Sequence, residues 1–419
     1  MATEFDPLKA LSILLSPATV HGEIPELLSS LTQEQLDALV SEGYRQDIAS
    51  LLYSFLARQA DTQVFPLALK EKLNRTYLTT AARNTLALHD AEILFNAFQK
   101  AGIPAVGLKG VYLLEHVSPD IGARTMNDID LLVKKQNLPK CLEMMQDLGY
   151  KISTYFDVAD ENIDTKHVPP MEKPGGTLVE LHWTLLEEDE PFTIDIEELW
   201  KRMVPARIAN VDALTLSIED LILHLCLHLT YQHFLNLGLR GLVDIAFVIH
   251  KFLPEIDWKK LVEIARSWGA EKVTALTLKL VESQLNVPIP SEVLSALVQE
   301  GIEEDLLESA RRQLLERVWF DDHFTPDLVE MAASKNLFAK IKIGLQRIFI
   351  PRIALARIYN VPPNSPRIIG LYWARLNYLM SSYGKTIVRL ERGEAGTEPA
   401  RKKAEISKSL HEWMTSQKN

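Results

Sequence analysis

The sequence predicts an α+β fold, with a small mixed β-sheet set between N-terminal helices and a large C-terminal helical region. Three observations predict it. Residues from about 100 to 190 alternate short strand-like runs with short helical ones. The chain on either side carries the 3.6-residue apolar spacing of helices. At 419 residues the chain is long for one core and fits two or three cooperating units. The texture divides it into residues 1–75, 76–210, 211–330, 331–395 and a polar tail at 396–419.

Residues 1 to about 70 read as short helices. In LLSSLTQEQLDALV, Thr32 with Gln35 three positions on forms a capping-box pattern. A longer helix is expected from about Thr79 to Lys100, with Leu86, Ile93, Leu94 and Ala97 on one face and Gly102 as its stop. IPAVGLKG then reads as a strand ending in a glycine turn, VYLLEHV as a helix and NDIDLLV as a second strand. LPKCLEMMQDLG is a helix closed by glycine, and YKISTYF a third strand. After a loop holding Pro169, Pro170, Pro174, Gly175 and Gly176, TLVELHWTL alternates as a fourth.

From Ser217 onward the pattern is nearly all helical, led by IEDLILHLCLHLTYQHF and RGLVDIAFVIHKFL. Leu337, Ile341, Leu345 and Ile348 share a face before Pro351, and Ile369, Tyr372, Leu376, Leu379 and Tyr383 share another. The polar tail is expected to fray.

Composition excludes several classes. Apolar residues at 47% and charged residues at 24% are those of a soluble globular protein, and no run approaches the ~18 apolar residues of a membrane span. Glu4 and Asp6 stand where a signal peptide needs basic residues. Cys141 and Cys226 alone make neither a disulfide framework nor a four-sulfur zinc site. A cytoplasmic protein is expected.

The net charge of −11 argues against a surface coated with nucleic-acid contacts. Yet Lys335, Lys340, Lys342, Arg347, Arg352, Arg357, Arg367, Arg375, Lys385 and Arg389 fall between Met331 and Leu390 with no acid among them. This stretch suits a polyanionic acceptor such as tRNA, or anionic lipid with Phe338, Phe349 and Trp373, or docking against the acidic remainder. Regular apolar faces favour docking.

Asp128 and Asp130 carry the most chemistry. Two residues apart on a strand, they point the same way, while Ile129 and Leu131 face the core. Two carboxylates so close ionise together only beside a cation, which suits Mg²⁺. A lone Asp-x-Asp fits a polar strand edge better than a metal site; its neighbours change the balance. Upstream, Lys109 and Gly110 stand between a strand end and a helix start, where free N–H groups and a compact positive charge favour phosphate. Downstream, Glu180 adds a third acid on a later strand. Three carboxylates and a phosphate-cradling turn are the parts of two-metal phosphoryl or nucleotidyl transfer.

The run GIPAVGLKGVYLLEHVSPDIGARTMNDIDLLVKKQNLPKCLEMMQDLGYKI resembles the polymerase-β-type nucleotidyltransferase superfamily, and more closely its uncharacterised bacterial branch. The resemblance continues through His167-Val-Pro-Pro and VELHWTL to His228, Arg240 and Asp244 in the helical part, and to FIPRIALARIY and YWARL beyond. It implies Asp128, Asp130 and Glu180 as catalytic metal ligands for Mg²⁺ or Mn²⁺, with Lys109 and Gly110 meeting the triphosphate of an NTP donor. Where the superfamily's turn is Gly-Ser or Gly-Gly, this chain has Lys-Gly, with 17 residues between Gly110 and Asp128. The acceptor is left open among a small molecule, a peptide or protein hydroxyl and an RNA end.

Other residues carry two readings each. Arg124 suits a triphosphate or acceptor clamp, or a loop-ordering bridge to Asp120 or Asp128. His182, two after Glu180, faces the same side, as a partner of Glu180 or a half-buried strand histidine. His224 and His228 have the i, i+4 spacing of metal ligands, but their leucine surroundings favour buried, hydrogen-bonded histidines over zinc. Arg240 and Asp244 make an intrahelical pair or line the cleft with His228. His167 lies in a loop able to cover a nucleotide, or on an ordinary surface turn. Rival functions are a catalytically inactive nucleotide-binding scaffold and an RNA-binding protein that uses the basic helices.

Overall fold

The computed structural model describes residues 5–17, 27–58, 66–152, 166–187 and 190–316, and in the C-terminal stretch 344–345, 348–350, 352, 355, 365–392 and 398–416. The chain forms two compact units. One comprises residues 1–152 and 166–317, the other residues 153–165 and 318–419.

The first unit opens with helices α1 (Pro7–Leu15), α2 (Gln33–Arg45), α3 (Ala49–Arg58) and α4 (Leu67–Lys100). The capping box forms as its spacing predicts: Gln35 N–H donates to the Thr32 hydroxyl and Thr32 N–H to the Gln35 side chain. α4 starts well before Thr79, and the predicted face is only partly the buried one: Leu94 is buried and Ile93 and Ala97 are half-buried. Thr80, Asn84 and Asp90 are buried with Ala87, Ala91, Leu94 and Phe98, whereas Leu86 is exposed. Polar residues on the inner face hid its phase. Gly102, with φ +70°, ends the helix, and the Ile103 N–H returns to the Phe98 carbonyl at 2.9 Å.

The sheet follows: β1 (Val106–Gly107), α5 (Lys109–His116), β2 (Asp128–Leu132), α6 (Leu138–Asp147), β3 (Lys151–Ile152), β4 (Met171–Glu172) and β5 (Leu178–His182). After α7 (Ile196–Arg202) come β6 (Val204–Ile208) and β7 (Val211–Thr215). The seven strands lie in the order β3-β4-β5-β2-β1-β7-β6. β2 runs parallel to β5 and β1 to β7, and the other pairs are antiparallel. The mixed α+β fold is therefore as predicted.

β4 and the β6–β7 hairpin extend it beyond the predicted strands. The hairpin turns on Ala209 and Asn210, both at positive φ, without the glycine that announces such a turn. Of YKISTYF, only Lys151 and Ile152 form described strand; residues 153–156 lie outside the described residues.

The helical part of this unit comprises α8 (Ile218–Cys226), a π-helical segment at Leu227–Gln232, α9 (Leu239–Phe252), α10 (Trp258–Trp268), α11 (Glu271–Leu285), α12 (Ser291–Leu297) and α13 (Glu304–Leu315).

In the second unit, α14 (Ile368–Arg392) buries Ile368 rather than the predicted Ile369, which stands exposed; Tyr372, Leu376 and Leu379 are half-buried. The tail folds as α15 (Glu398–Thr415) where fraying was expected, with Pro399 in its first turn and Lys408 paired to Glu412. Leu337, Ile341, Lys335, Lys340, Lys342, Arg347 and Arg357 lie outside the described residues.

Candidate active site

The parallel pairing of β2 with β5 sets Asp130 beside Glu180 and Leu132 beside His182. Because alternate residues share a face, Asp128, Asp130, Glu180 and His182 collect on one side of the sheet. The His182 Nε2–H donates to Asp130 Oδ1 at 2.9 Å and stands 3.4 Å from Glu180 Oε2. His167 bridges to His182, its ring 4.8 Å from that of His182 and its Nε2 4.0 Å from Glu180 Oε2. The Lys109 ammonium pairs with Asp130 Oδ1 at 2.9 Å, both groups largely buried.

This concentration of charge displaces proton affinities in opposite directions. Burial, then the Asp130 charge, pushes the Asp128 carboxyl up to about 6. Burial would raise Asp130 too, but Lys109 and the His182 hydrogen bond outweigh it and hold that carboxyl well below the usual range. Glu180 is likewise lowered: burial would raise it, but the His182 hydrogen bond together with the His167 and His182 rings outweighs that. Lys109 is raised, its burial outweighed by Asp130. One carboxyl of the cluster thus resists ionisation while its two neighbours are held ionised. Asp130, Glu180 and His182 bring their ligand atoms within 4.8 Å of one another, a group able to hold a cation.

The Lys109-Gly110 turn is built against the same strand. The Leu108 N–H donates to the Asp130 carbonyl at 3.1 Å, and α5 begins at the next residue. Lys109 takes a positive φ of +38° there, a strained conformation for a side-chain-bearing residue. Gly110 lies against its neighbours: an added Cβ would stand 3.0 Å from Met126 Cγ and 3.2 Å from the Arg124 guanidinium. Gly110→Ala is therefore expected to cost about 1–3 kcal/mol, limited by the flexibility of Met126. Urea unfolding of the variant measures this cost.

Beneath the turn, Arg124 donates from both ends to Asp244, at 2.9 and 2.8 Å, across 120 residues of sequence. This replaces both expected pairings. Arg124 bridges neither Asp120 nor Asp128, and Asp244 does not pair with Arg240. Arg240 instead meets Asp47 at 3.3 Å, while Asp120 accepts from Ser54 and from the Gly122 N–H. Asn84, on the buried face of α4, donates to the Ile121 and Arg124 carbonyls and so fixes the loop from below. Arg124, Arg240, Asp47 and Asp244 line a cleft floored by Leu51, Leu113 and Phe247.

A sequence-family profile described as uncharacterised nucleotidyltransferase matches residues 32–286, which span the helices from α2, the whole sheet and the helical wall through α11. The chain belongs to this family. It is thus a nucleotidyltransferase in the general sense, an enzyme class whose substrate is a nucleoside triphosphate. No curated protein and no solved structure matches the chain. No helix among the described residues is long and apolar enough to cross a membrane.

The matched span includes residues that sequence reasoning undervalued or missed. His224 is buried as expected, but its Nε2 has no partner among the described residues. Burial, followed by the charge of Lys109, holds its proton affinity well below normal, and Asp130 and His182 also act on it. His228 is lowered in the same way, and its ring lies 4.4 Å from that of His233, which is pushed down to about 4. These three imidazoles are carried by the π-helical segment and its flanks, a local distortion that frequently marks functional sites. They stand within electrostatic reach of the nucleotidyltransferase acids. The repeated histidines of HLCLHLTYQHF were the available signal. For Lys166, considered below, there was none, since a loop lysine is commonplace.

Proposed function

We propose that this nucleotidyltransferase moves a nucleoside monophosphate from an NTP to an acceptor hydroxyl, releasing pyrophosphate, with Mg²⁺ or Mn²⁺ held by Asp128, Asp130 and Glu180. The observation that carries this reading is the clustering of those three carboxylates on one sheet face, where burial and the Asp130 charge make Asp128 resist ionisation. The donor set fits such an ion: hard carboxylate oxygens suit Mg²⁺, and Mn²⁺ accepts them equally. The His182 Nε2–H is already committed to Asp130, so His182 orients a ligand and the oxygens provide the coordination. When bound, a divalent ion supplies charge neutralisation at the reacting phosphate.

The chain's own residues do the rest. The Lys109 ammonium and the first N–H groups of α5 receive the triphosphate, and Gly110 lets it approach the backbone. Arg124, saturated by Asp244, braces the turn. The acceptor oxygen bonds to the α-phosphorus as the bond to the bridging pyrophosphate oxygen breaks, and the acceptor proton leaves to solvent. His167 and His182 flank Glu180 on the acceptor side.

The test follows from Asp128. In the metal-free fold this carboxyl keeps its proton up to about 6, whereas in the unfolded chain it loses it near the ordinary 3.8. That raised value contributes stability below the ordinary range, and the contribution is lost as pH rises through about 6. A bound cation displaces the proton, so Mn²⁺ affinity should climb about tenfold per pH unit below the shifted value and level off above it. Titration followed by the paramagnetic signal of Mn²⁺, repeated over that range, measures this. An affinity independent of pH would remove Asp128 from the metal site.

A further inference from the structure

The site holds two lysines, and only one has a counter-ion. Lys109 is committed to Asp130 at 2.9 Å. Lys166 is half-buried, and among the described residues its ammonium has neither a hydrogen bond nor an ion pair. Its backbone is nonetheless fixed at the mouth of the site. The Lys166 carbonyl accepts from the Trp183 N–H at 3.0 Å, directly beyond the end of β5, and the next residue, His167, bridges to His182. Other inward-leaning lysines of this unit are matched by acids: Lys173 meets Asp90 at 2.7 Å and Lys260 meets Glu219 at 2.8 Å.

We propose that Lys166 is a second phosphate-binding residue, which with Lys109 grips one polyphosphate chain between two ammonium groups; the proposal rests on the nucleotide-donor reading above. An ammonium drawn partly out of water without a partner is costly, and a second one nearby raises the cost. Both costs vanish when a ligand with several negative charges lies between them. The effect of Lys109 is visible on Lys166, whose proton affinity is lowered by burial and then by the Lys109 charge; Glu190, Glu187 and Glu180 act in the opposite sense from a distance and are outweighed. The same two lysines depress His233, so all three groups share one electrostatic compartment. Those imidazoles, held below their ordinary proton affinity, add no competing charge. The ligand class is therefore a linear polyphosphate, as the tail of an NTP or as the pyrophosphate that leaves.

The experiment is calorimetric titration of the full chain with inorganic tripolyphosphate in the presence of Mg²⁺, using wild type, Lys166→Met, Lys166→Arg and Lys109→Met. Lys166→Met should bind tripolyphosphate about tenfold or more weakly while its Mn²⁺ affinity is unchanged, and Lys166→Arg should recover most of the loss. Lys166→Met should also unfold at the same temperature as wild type or higher, because it removes an unpartnered charge; a merely structural lysine would give the opposite. Lys166→Gln serves the same comparison if the Met variant fails to fold. Wild-type affinity in Lys166→Met beside a loss in Lys109→Met would overturn the role of Lys166 and leave the nucleotide reading standing. No binding of tripolyphosphate or of any NTP by wild type would overturn both.

Discussion

Asp130→Asn is expected to abolish nucleotidyl transfer and also to weaken the fold. Loss of a ligand charge where negative charge must be stabilised in the transition state typically costs several kcal/mol, so pyrophosphate release should fall by ~10³-fold or more. The stability effect comes from Lys109. Its side chain is only 12% exposed and that of Asp130 only 4%, so neutralising the acid strands a buried cation. Breaking a buried pair costs about 3–5 kcal/mol, and the lower end applies here because Asn can still accept a hydrogen bond. Adding Lys109→Met should restore much of the stability and none of the activity. Denaturant unfolding and pyrophosphate release, measured on the single and double variants, separate the two consequences. Wild-type turnover in Asp130→Asn would remove Asp130 from the chemistry.

Asp244→Ala is expected to be among the most destabilising surface-to-core changes in the first unit, although Asp244 touches no proposed reacting atom. Its two oxygens take both ends of the Arg124 guanidinium, and the two side chains are 14% and 15% exposed. Removal leaves a buried arginine unpaired, for about 3–5 kcal/mol. An ordinary pair with Arg240 one helical turn away would contribute only about 0.2–0.5 kcal/mol. The magnitude read from urea unfolding therefore distinguishes the long-range bond from the local one. Because Arg124 lies against Gly110, the same variant should bind nucleotide more weakly.

Much of this was legible in the sequence because it depends on short-range periodicity. Asp128 and Asp130 share a face by strand geometry alone, and alternation in VELHW does the same for Glu180 and His182. The Thr32–Gln35 cap and the Gly102 stop are local as well. What could not be read was the choice among distant partners. Arg124 had Asp120 and Asp128 within reach in sequence, yet it found Asp244, which only the packing of α9 behind α5 brings near. The inner face of α4 was misphased because Asn84 and Asp90 are buried to serve loops: Asn84 carries the Arg124 loop, and Asp90 accepts from the Thr177 N–H ahead of β5. Hydropathy scores such residues as outward. The β6–β7 hairpin was missed because Ala209 and Asn210 adopt a left-handed turn that composition does not announce. His224 of α8 was correctly read as buried, whereas His228, in the π-helical segment, is half-buried; the leucine-rich surroundings concealed that both lie within electrostatic range of Lys109 and Asp130.

In the proposed function the acid cluster and the Lys109 turn form one Mg²⁺-dependent NTP site. The most direct measurement is thermal unfolding of wild type and Asp130→Asn with each of ATP, GTP, CTP and UTP, in the presence and absence of Mg²⁺. A nucleotide at ~100 times its dissociation constant adds about 2.7 kcal/mol to the folded state, a readily measured shift. Wild type should be stabilised by at least one nucleotide in a Mg²⁺-dependent way, and Asp130→Asn should lose that stabilisation. Equal stabilisation of both proteins, or none of wild type by any nucleotide, would contradict the proposed function.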